Sequence, residues 1–175
     1  MIEHFTEGIV LESVPKGELD RLVTIYTKDL GKVTATTKSA RKITSKVSGH
    51  LMPGNFVKLR IVENKSVQAM DALSEKPKCD MRELLKFLNF LDAVIPHGEI
   101  DINFWNLVKR IIAEGRFEPK IYKYVLGILG FGEGEGFCDN CRKNEIAHFS
   151  LNDIMFLCSG CVERFHLRPD EAVEI

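Results

Sequence analysis

Gly31-Lys32-Val33-Thr34-Ala35-Thr36-Thr37-Lys38 is followed, after a loop, by Phe56-Val57-Lys58-Leu59-Arg60-Ile61-Val62. In the first segment Val33, Ala35 and Thr37 alternate with Lys32, Thr34, Thr36 and Lys38. In the second, Val57, Leu59 and Ile61 alternate with Phe56, Lys58, Arg60 and Val62. A period of two puts each set on its own side of a pleated chain, which predicts two half-buried strands. Working outward, Ile9–Leu11, Leu22–Tyr26 and Val67–Leu73 supply three more strand candidates. Turn signals separate the five: Pro15-Lys16-Gly17, Asp29-Leu30-Gly31, Pro53-Gly54-Asn55 and Glu63-Asn64-Lys65. Five short strands in about 70 residues predict a small barrel, and the pattern fits an OB-fold and an SH3-like barrel equally.

The period changes after Pro77. Leu84, Phe87, Leu88, Leu91 and Ile95 share one helical face, and Asp80 with Glu83 predicts a capping box at its start. Phe104, Val108, Ile111 and Ile112 mark a second helix, with Trp105 expected in its packing. Ile121, Tyr124, Val125, Ile128 and Leu129 mark a third, with Pro119 at its first position. Gly130, Gly132, Gly134 and Gly136 follow a helix and are interleaved with glutamate. This predicts a flexible joint rather than a phosphate-binding loop. The expected organisation is α+β and multi-modular: a barrel over 1–77, helices over 78–135, a cysteine module over 136–164 and a tail over 165–175. With 175 residues and 45% hydrophobic side chains, a chain of this size buries roughly 70% of its unfolded surface. The opening Met-Ile-Glu-His-Phe-Thr-Glu lacks the character of a signal peptide, and no apolar run reaches the ~18 residues of a membrane span. The expectation is a soluble, cytoplasmic protein.

Four of five cysteines form two C-x2-C pairs, Cys138/Cys141 and Cys158/Cys161, separated by 16 residues. This matches a zinc-ribbon template. Each pair closes a tight turn that aims two sulfurs at one point, so two pairs supply a tetrahedral thiolate set for one structural Zn²⁺. Cys79 stands apart from them.

The formal net charge of −1 argues against a nucleic-acid partner only if it is spread evenly. It is not. Residues 1–78 hold 13 Lys plus Arg against 9 Asp plus Glu, whereas residues 79–175 hold 11 against 16. From Leu30 to Val62 there are seven basic residues and no acidic one: Lys32, Lys38, Arg41, Lys42, Lys46, Lys58 and Arg60. A local excess of this kind attracts a polyanion whatever the global charge. Phe56 lies among them as a candidate platform for a base.

Glu7-Gly8-Ile9-Val10-Leu11, Gly17-Glu18-Leu19-Asp20-Arg21-Leu22-Val23-Thr24, Gly31-Lys32, Ala40-Arg41-Lys42, Ser45, Gly49 and Leu51-Met52-Pro53 together resemble the start of the bacterial RecO family. Gly130-Phe131, the two cysteine pairs and Phe149-Ser150 resemble the zinc module of its metal-containing members. The resemblance implies an OB-fold and a non-enzymatic recombination mediator in DNA repair. Such proteins bind single- and double-stranded DNA and anneal complementary strands. They assist RecA loading with RecR on DNA covered by single-strand-binding protein, and so work at the nucleoid. By position it implies DNA contact by Lys32, Lys38, Arg41, Lys42 and Lys46; Lys58 and Arg60 rest on the strand pattern instead. Arg21 is open between DNA contact and pairing with Asp20 or Glu18. Ser39 stands where the family commonly has glycine. The chain ends soon after the zinc module, where family members usually continue with further helices.

Two other readings compete. An OB-fold with a zinc ribbon also suits an RNA-binding or transcription-associated protein. His97-x-Glu99 ahead of Cys138-x2-Cys141 superficially resembles a zinc deaminase or hydrolase, but Phe137 replaces the expected proline and Cys158 and Cys161 are left without a role.

Overall fold

The computed structural model describes residues 1–132 and 136–175. Gly134 of the expected joint lies outside them. The chain divides into two compact units, one of residues 1–88 and 95–115, the other of 89–94 and 116–175.

The first unit is built on five strands: β1 (Ile2–Lys16), β2 (Asp20–Thr27), β3 (Gly31–Thr37), β4 (Phe56–Glu63) and β5 (Val67–Glu75). They close into a barrel of order β1-β2-β3-β5-β4. β1 makes closure possible by its length. Ile2–Ile9 pair with β4, and Gly8–Lys16 pair with β2 across a bulge between Val10 and Glu12. A bulge bends a strand and sharpens its twist, which lets one strand serve two neighbours. The ring is completed by a parallel bridge, Thr36 to Gln68.

The alternation places Val23, Ile25, Ala35, Val57, Leu59 and Ile61 inside, joined by Val10 and Ala69. Leu51, from the long β3–β4 connection, is fully buried with them. Each such side chain withdrawn from water contributes about 1.5–3 kcal/mol, so Leu51 anchors an otherwise irregular loop to the barrel.

Part of the outer surface is also covered. α2 (Ile102–Glu114) is capped at its start by Asp101, whose carboxylate accepts from Asn103 N and Phe104 N, and at its end by Gly115. It buries Phe104 and Trp105 against Tyr26 of β2, with ring centroids 5.9 and 5.6 Å away. The segment before it runs beside β3, where Gly98 N donates to Lys32 O at 2.9 Å. Gly31 fits there because its φ is +65° and a Cβ would strike the Glu99 backbone.

α1 (Met81–Val94) has residues 81–88 in the first unit and 89–94 in the second. Asp80 caps it, accepting from Arg82 N and Glu83 N. Glu83 pairs with Lys86 at 2.8 Å, so only half of the expected capping box forms among the described contacts.

In the second unit, α3 (Pro119–Ile128) buries Tyr122, Val125 and Leu126. The expected stripe through Tyr124 and Ile128 is wrong, since both are about half exposed. The face is rotated because Tyr122 packs edge-on against Phe90, centroids 4.9 Å apart. A three-stranded sheet follows, with β6 (His148–Ser150) between β7 (Met155–Leu157) and β8 (Ala172–Glu174). The short helix α4 (Ser159–Arg164) lies between β7 and β8 in sequence. The expectation of a tail over 165–175 is corrected by β8, which pairs with β6 through Ser150–Ala172, Phe149–Val173 and His148–Glu174. No described helix is long and apolar enough to cross a membrane.

Candidate nucleic-acid face and cysteine cluster

The β3–β4 connection opens with Lys38, Arg41, Lys42 and Lys46, all exposed. Its path is set by the β1–β2 hairpin beside it. Asp20 Oδ1 accepts from Ser39 N at 2.8 Å, Arg41 N donates to Leu19 O at 2.9 Å, and Arg41 Nη1 donates to Gly17 O at 3.0 Å. Ser39 has φ +54°, a left-handed conformation that glycine adopts freely and other residues adopt at a cost. Two tight turns, Lys42 N to Ser39 O and Ser45 N to Lys42 O, hold the segment compact. None of the four cations forms an ion pair among the described residues. Lys16, at the end of β1, donates to Thr36 Oγ1 at 2.8 Å and places a fifth cation next to them. In the sequence Lys16 reads only as part of a turn; its neighbourhood depends on the β1–β2–β3 register.

The other expected contacts lie elsewhere. Lys32 is only 6% exposed, because the segment around Gly98 lies along it. It is corrected from an outward-facing contact to a largely buried residue. Phe56, Lys58 and Arg60 do share the outer side of β4, but β4 is two strands from both β2 and β3 around the ring. Arg60 is already committed, at 2.8 Å to Asp71 and 3.4 Å to Glu3. Phe56 is half-buried and Lys58 exposed. Arg21 pairs with neither Asp20 nor Glu18: its Nη1 donates to Ser13 O and Ser13 Oγ, at 3.2 and 3.1 Å.

In the second unit the four cysteine sulfurs all lie within 4.8 Å of one another. Cys138–Cys161 and Cys141–Cys158 are 3.7 and 3.6 Å apart. Four thiolates at about 2.3 Å from one Zn²⁺ span tetrahedral edges of about 3.8 Å, far longer than the ~2.05 Å of a disulfide. The set thus has the dimensions of a closed metal site. Each pair sits in a turn that aims backbone as well as sulfur inward: Arg142 N donates to Cys138 O, and Cys161 N to Cys158 O. Asn140 Nδ2 donates to Cys161 Sγ at 3.2 Å. Asp139 and Phe156 bond reciprocally through Asp139 N to Phe156 O and Phe156 N to Asp139 Oδ2, which ties the first turn to β7.

Without a cation the thiols compete. Burial raises the Cys138 thiol, but backbone N–H groups of Cys141, Cys158 and Asn140 outweigh it and bring it down to about 6. The Asn140 side chain lowers Cys161, yet burial and the neighbouring thiols push it up to about 11. The cluster of possible metal ligands is made by the four cysteines, with Cys158 and Cys161 as members and His97 not among them.

Residues 1–78 match the family described as Recombination protein O N terminal. Over 182 residues the chain is 25% identical to the DNA repair protein RecO of Thermodesulfovibrio yellowstonii, covering 94% of this chain and 72% of that protein. It is 25% identical over 174 residues to the DNA repair protein RecO of Bacillus velezensis, covering 90% and 68%. Against the protein of the same description from Nocardioides sp. the identity is 36% over 124 residues, covering 71% and 47%.

Proposed function

Because the chain belongs to the RecO family, we propose that it is a non-enzymatic mediator of recombination in DNA repair. In this reading it binds single- and double-stranded DNA, anneals complementary strands, and assists RecA loading with RecR on DNA covered by single-strand-binding protein. The closed order β1-β2-β3-β5-β4 supports an OB-fold, whose β2–β3 face and adjoining loops commonly hold oligonucleotides.

One observation carries the reading: Lys38, Arg41, Lys42 and Lys46 stand exposed, without ion pairs among the described residues, on a loop pinned beside the β1–β2 turn. Cations that carry no carboxylate partner exchange only water and counterions when a phosphate arrives, so the released counterions drive binding. Such contacts touch no base edge and hold any sequence alike. Lys16 extends the same face. Annealing then needs only that phosphate repulsion be screened while two strands are held close. No bond is made or broken, so no nucleophile or general base is required.

Cys138, Cys141, Cys158 and Cys161 would hold one structural Zn²⁺. Four thiolates fill its coordination shell, which suits cross-linking the two turns of a small module rather than catalysis.

The test is strand annealing. The chain should speed pairing of complementary DNA strands, including strands coated with single-strand-binding protein. No acceleration together with a strong preference for RNA would instead support the RNA-binding reading.

A further inference from the structure

The loop described above accounts for one strand, whereas annealing brings two together. On the outer side of β1, β4 and β5 lies a second feature, a groove of about 560 Å³ lined in part by Phe5, Lys28, Lys58, Arg60 and Leu73. That is within the range of small-ligand clefts, about 300–1,000 Å³. Phe5 is 75% exposed and Leu73 67% exposed, so the groove presents an aromatic ring and an aliphatic surface to water.

The strand register places cations around that ring. Phe5 pairs across with Arg60, Glu7 with Lys58, and Lys58 with Leu73. The groove's carboxylates are already engaged: Glu7 with Lys109 at 3.0 Å, Asp71 with Arg60 at 2.8 Å, and Asp29 with the Thr6 hydroxyl at 2.6 Å. Lys28 and Lys58 form no ion pair among the described residues. Lys28 and Lys58 act on Glu7 only at longer range than its contact with Lys109. An exposed ring flanked by cations without a close carboxylate is a combination that holds an unpaired nucleotide, with the base on the ring and its phosphate on a cation.

We propose that this groove binds a second, single-stranded segment of DNA, with a base stacked on Phe5 and the adjoining phosphate on Lys28 or Lys58. The proposal rests on the DNA-binding reading, in which the Lys38–Lys46 loop takes the first strand. Its chemistry differs from that loop. The lining acids and bases balance, so the groove exerts little long-range pull and depends on stacking. Bases inside a duplex are already stacked and do not reach the ring. The groove therefore selects unpaired DNA, while the loop accepts either form. The groove is lined from β1, β4, β5 and the β2–β3 turn, and none of Lys38, Arg41, Lys42 and Lys46 is among its lining residues, so the two segments would be held by different side chains.

The test replaces Phe5 with tryptophan and follows emission of the full chain as a dT oligomer, an abasic strand of equal length, and a duplex are added in turn. Trp105 is 2% exposed and supplies a constant background. Quenching is expected with the dT oligomer alone. In a chain carrying Lys42→Glu and Lys46→Glu, Phe5→Ala should weaken dT binding by a further factor of roughly 5 to 150, the range for one lost base stack. If emission is unchanged while anisotropy shows dT binding, the groove proposal is wrong and the loop reading stands. Equal quenching by the abasic strand also overturns the groove proposal, since stacking is then absent. If neither emission nor anisotropy responds to DNA, the DNA-binding reading fails and the groove proposal falls with it.

Discussion

Reversing two charges on the basic loop, Arg41→Glu with Lys42→Glu, gives a magnitude that follows from the loop's geometry. Four cations without ion pairs among the described residues face solvent there: Lys38, Arg41, Lys42 and Lys46. If each meets one phosphate of a single strand, the log–log slope of affinity against salt is about −0.7 per contact, or about −2.8 in all. Raising salt fourfold, from about 50 to about 200 mM, then weakens binding by about 50-fold. Two contacts remain in the variant, so the slope falls to about −1.4 and the same change in salt costs only about 7-fold. Fluorescence anisotropy of a labelled dT oligomer across that salt range measures both slopes. Arg41 also bonds to Gly17 O, so thermal unfolding of the variant is measured alongside. A second pair, Lys42→Glu with Lys46→Glu, leaves that bond in place and should show the same flattening. A slope that stays near the wild-type value in both variants refutes the assignment of phosphate contact to this loop.

The remaining predictions concern the metal and the hairpin. The purified chain should hold one Zn²⁺, and Cys158→Ala should release it while His97→Ala should not, as read by a colorimetric chelator. Thiolates must shed protons to ligate, so zinc affinity should fall as pH is lowered; affinity independent of pH would contradict a four-thiolate site. Ser39→Gly should stabilise the chain by up to about 1.5 kcal/mol in denaturant unfolding. The left-handed φ costs a non-glycine residue about 1–2 kcal/mol, against about 0.5–1 kcal/mol of added chain entropy for glycine.

Local order along the chain was largely legible. The alternation at Val33–Thr37 and Val57–Ile61 carried the barrel core, and the C-x2-C spacing carried the cysteine cluster. What escaped depends on partners far away in sequence. The alternation put Lys32 on the outer side but could not show the later segment at Gly98, beside which Lys32 is 6% exposed. Arg60 looked like a free cation because Glu3, 57 residues away, and Asp71 reach it only across the sheet. Lys16 joins the basic loop only through the strand register. On α3, Tyr124 and Tyr122 are equally apolar to a periodicity argument, and the Phe90 ring decides which is buried. Three residues at the chain's end look too few for an element until β6 offers an edge to pair with.

The central proposal is that an exposed basic loop, without ion pairs among the described residues, on a closed barrel lets this chain act as a strand-annealing mediator. The most direct measurement is the rate at which complementary DNA strands pair, with and without a coat of single-strand-binding protein, in the presence of the chain and of its Arg41→Glu/Lys42→Glu variant. The account predicts faster pairing in both cases with the wild-type chain and loss of that acceleration in the variant. Pairing no faster than the uncatalysed rate, or acceleration unchanged in the variant, would contradict it.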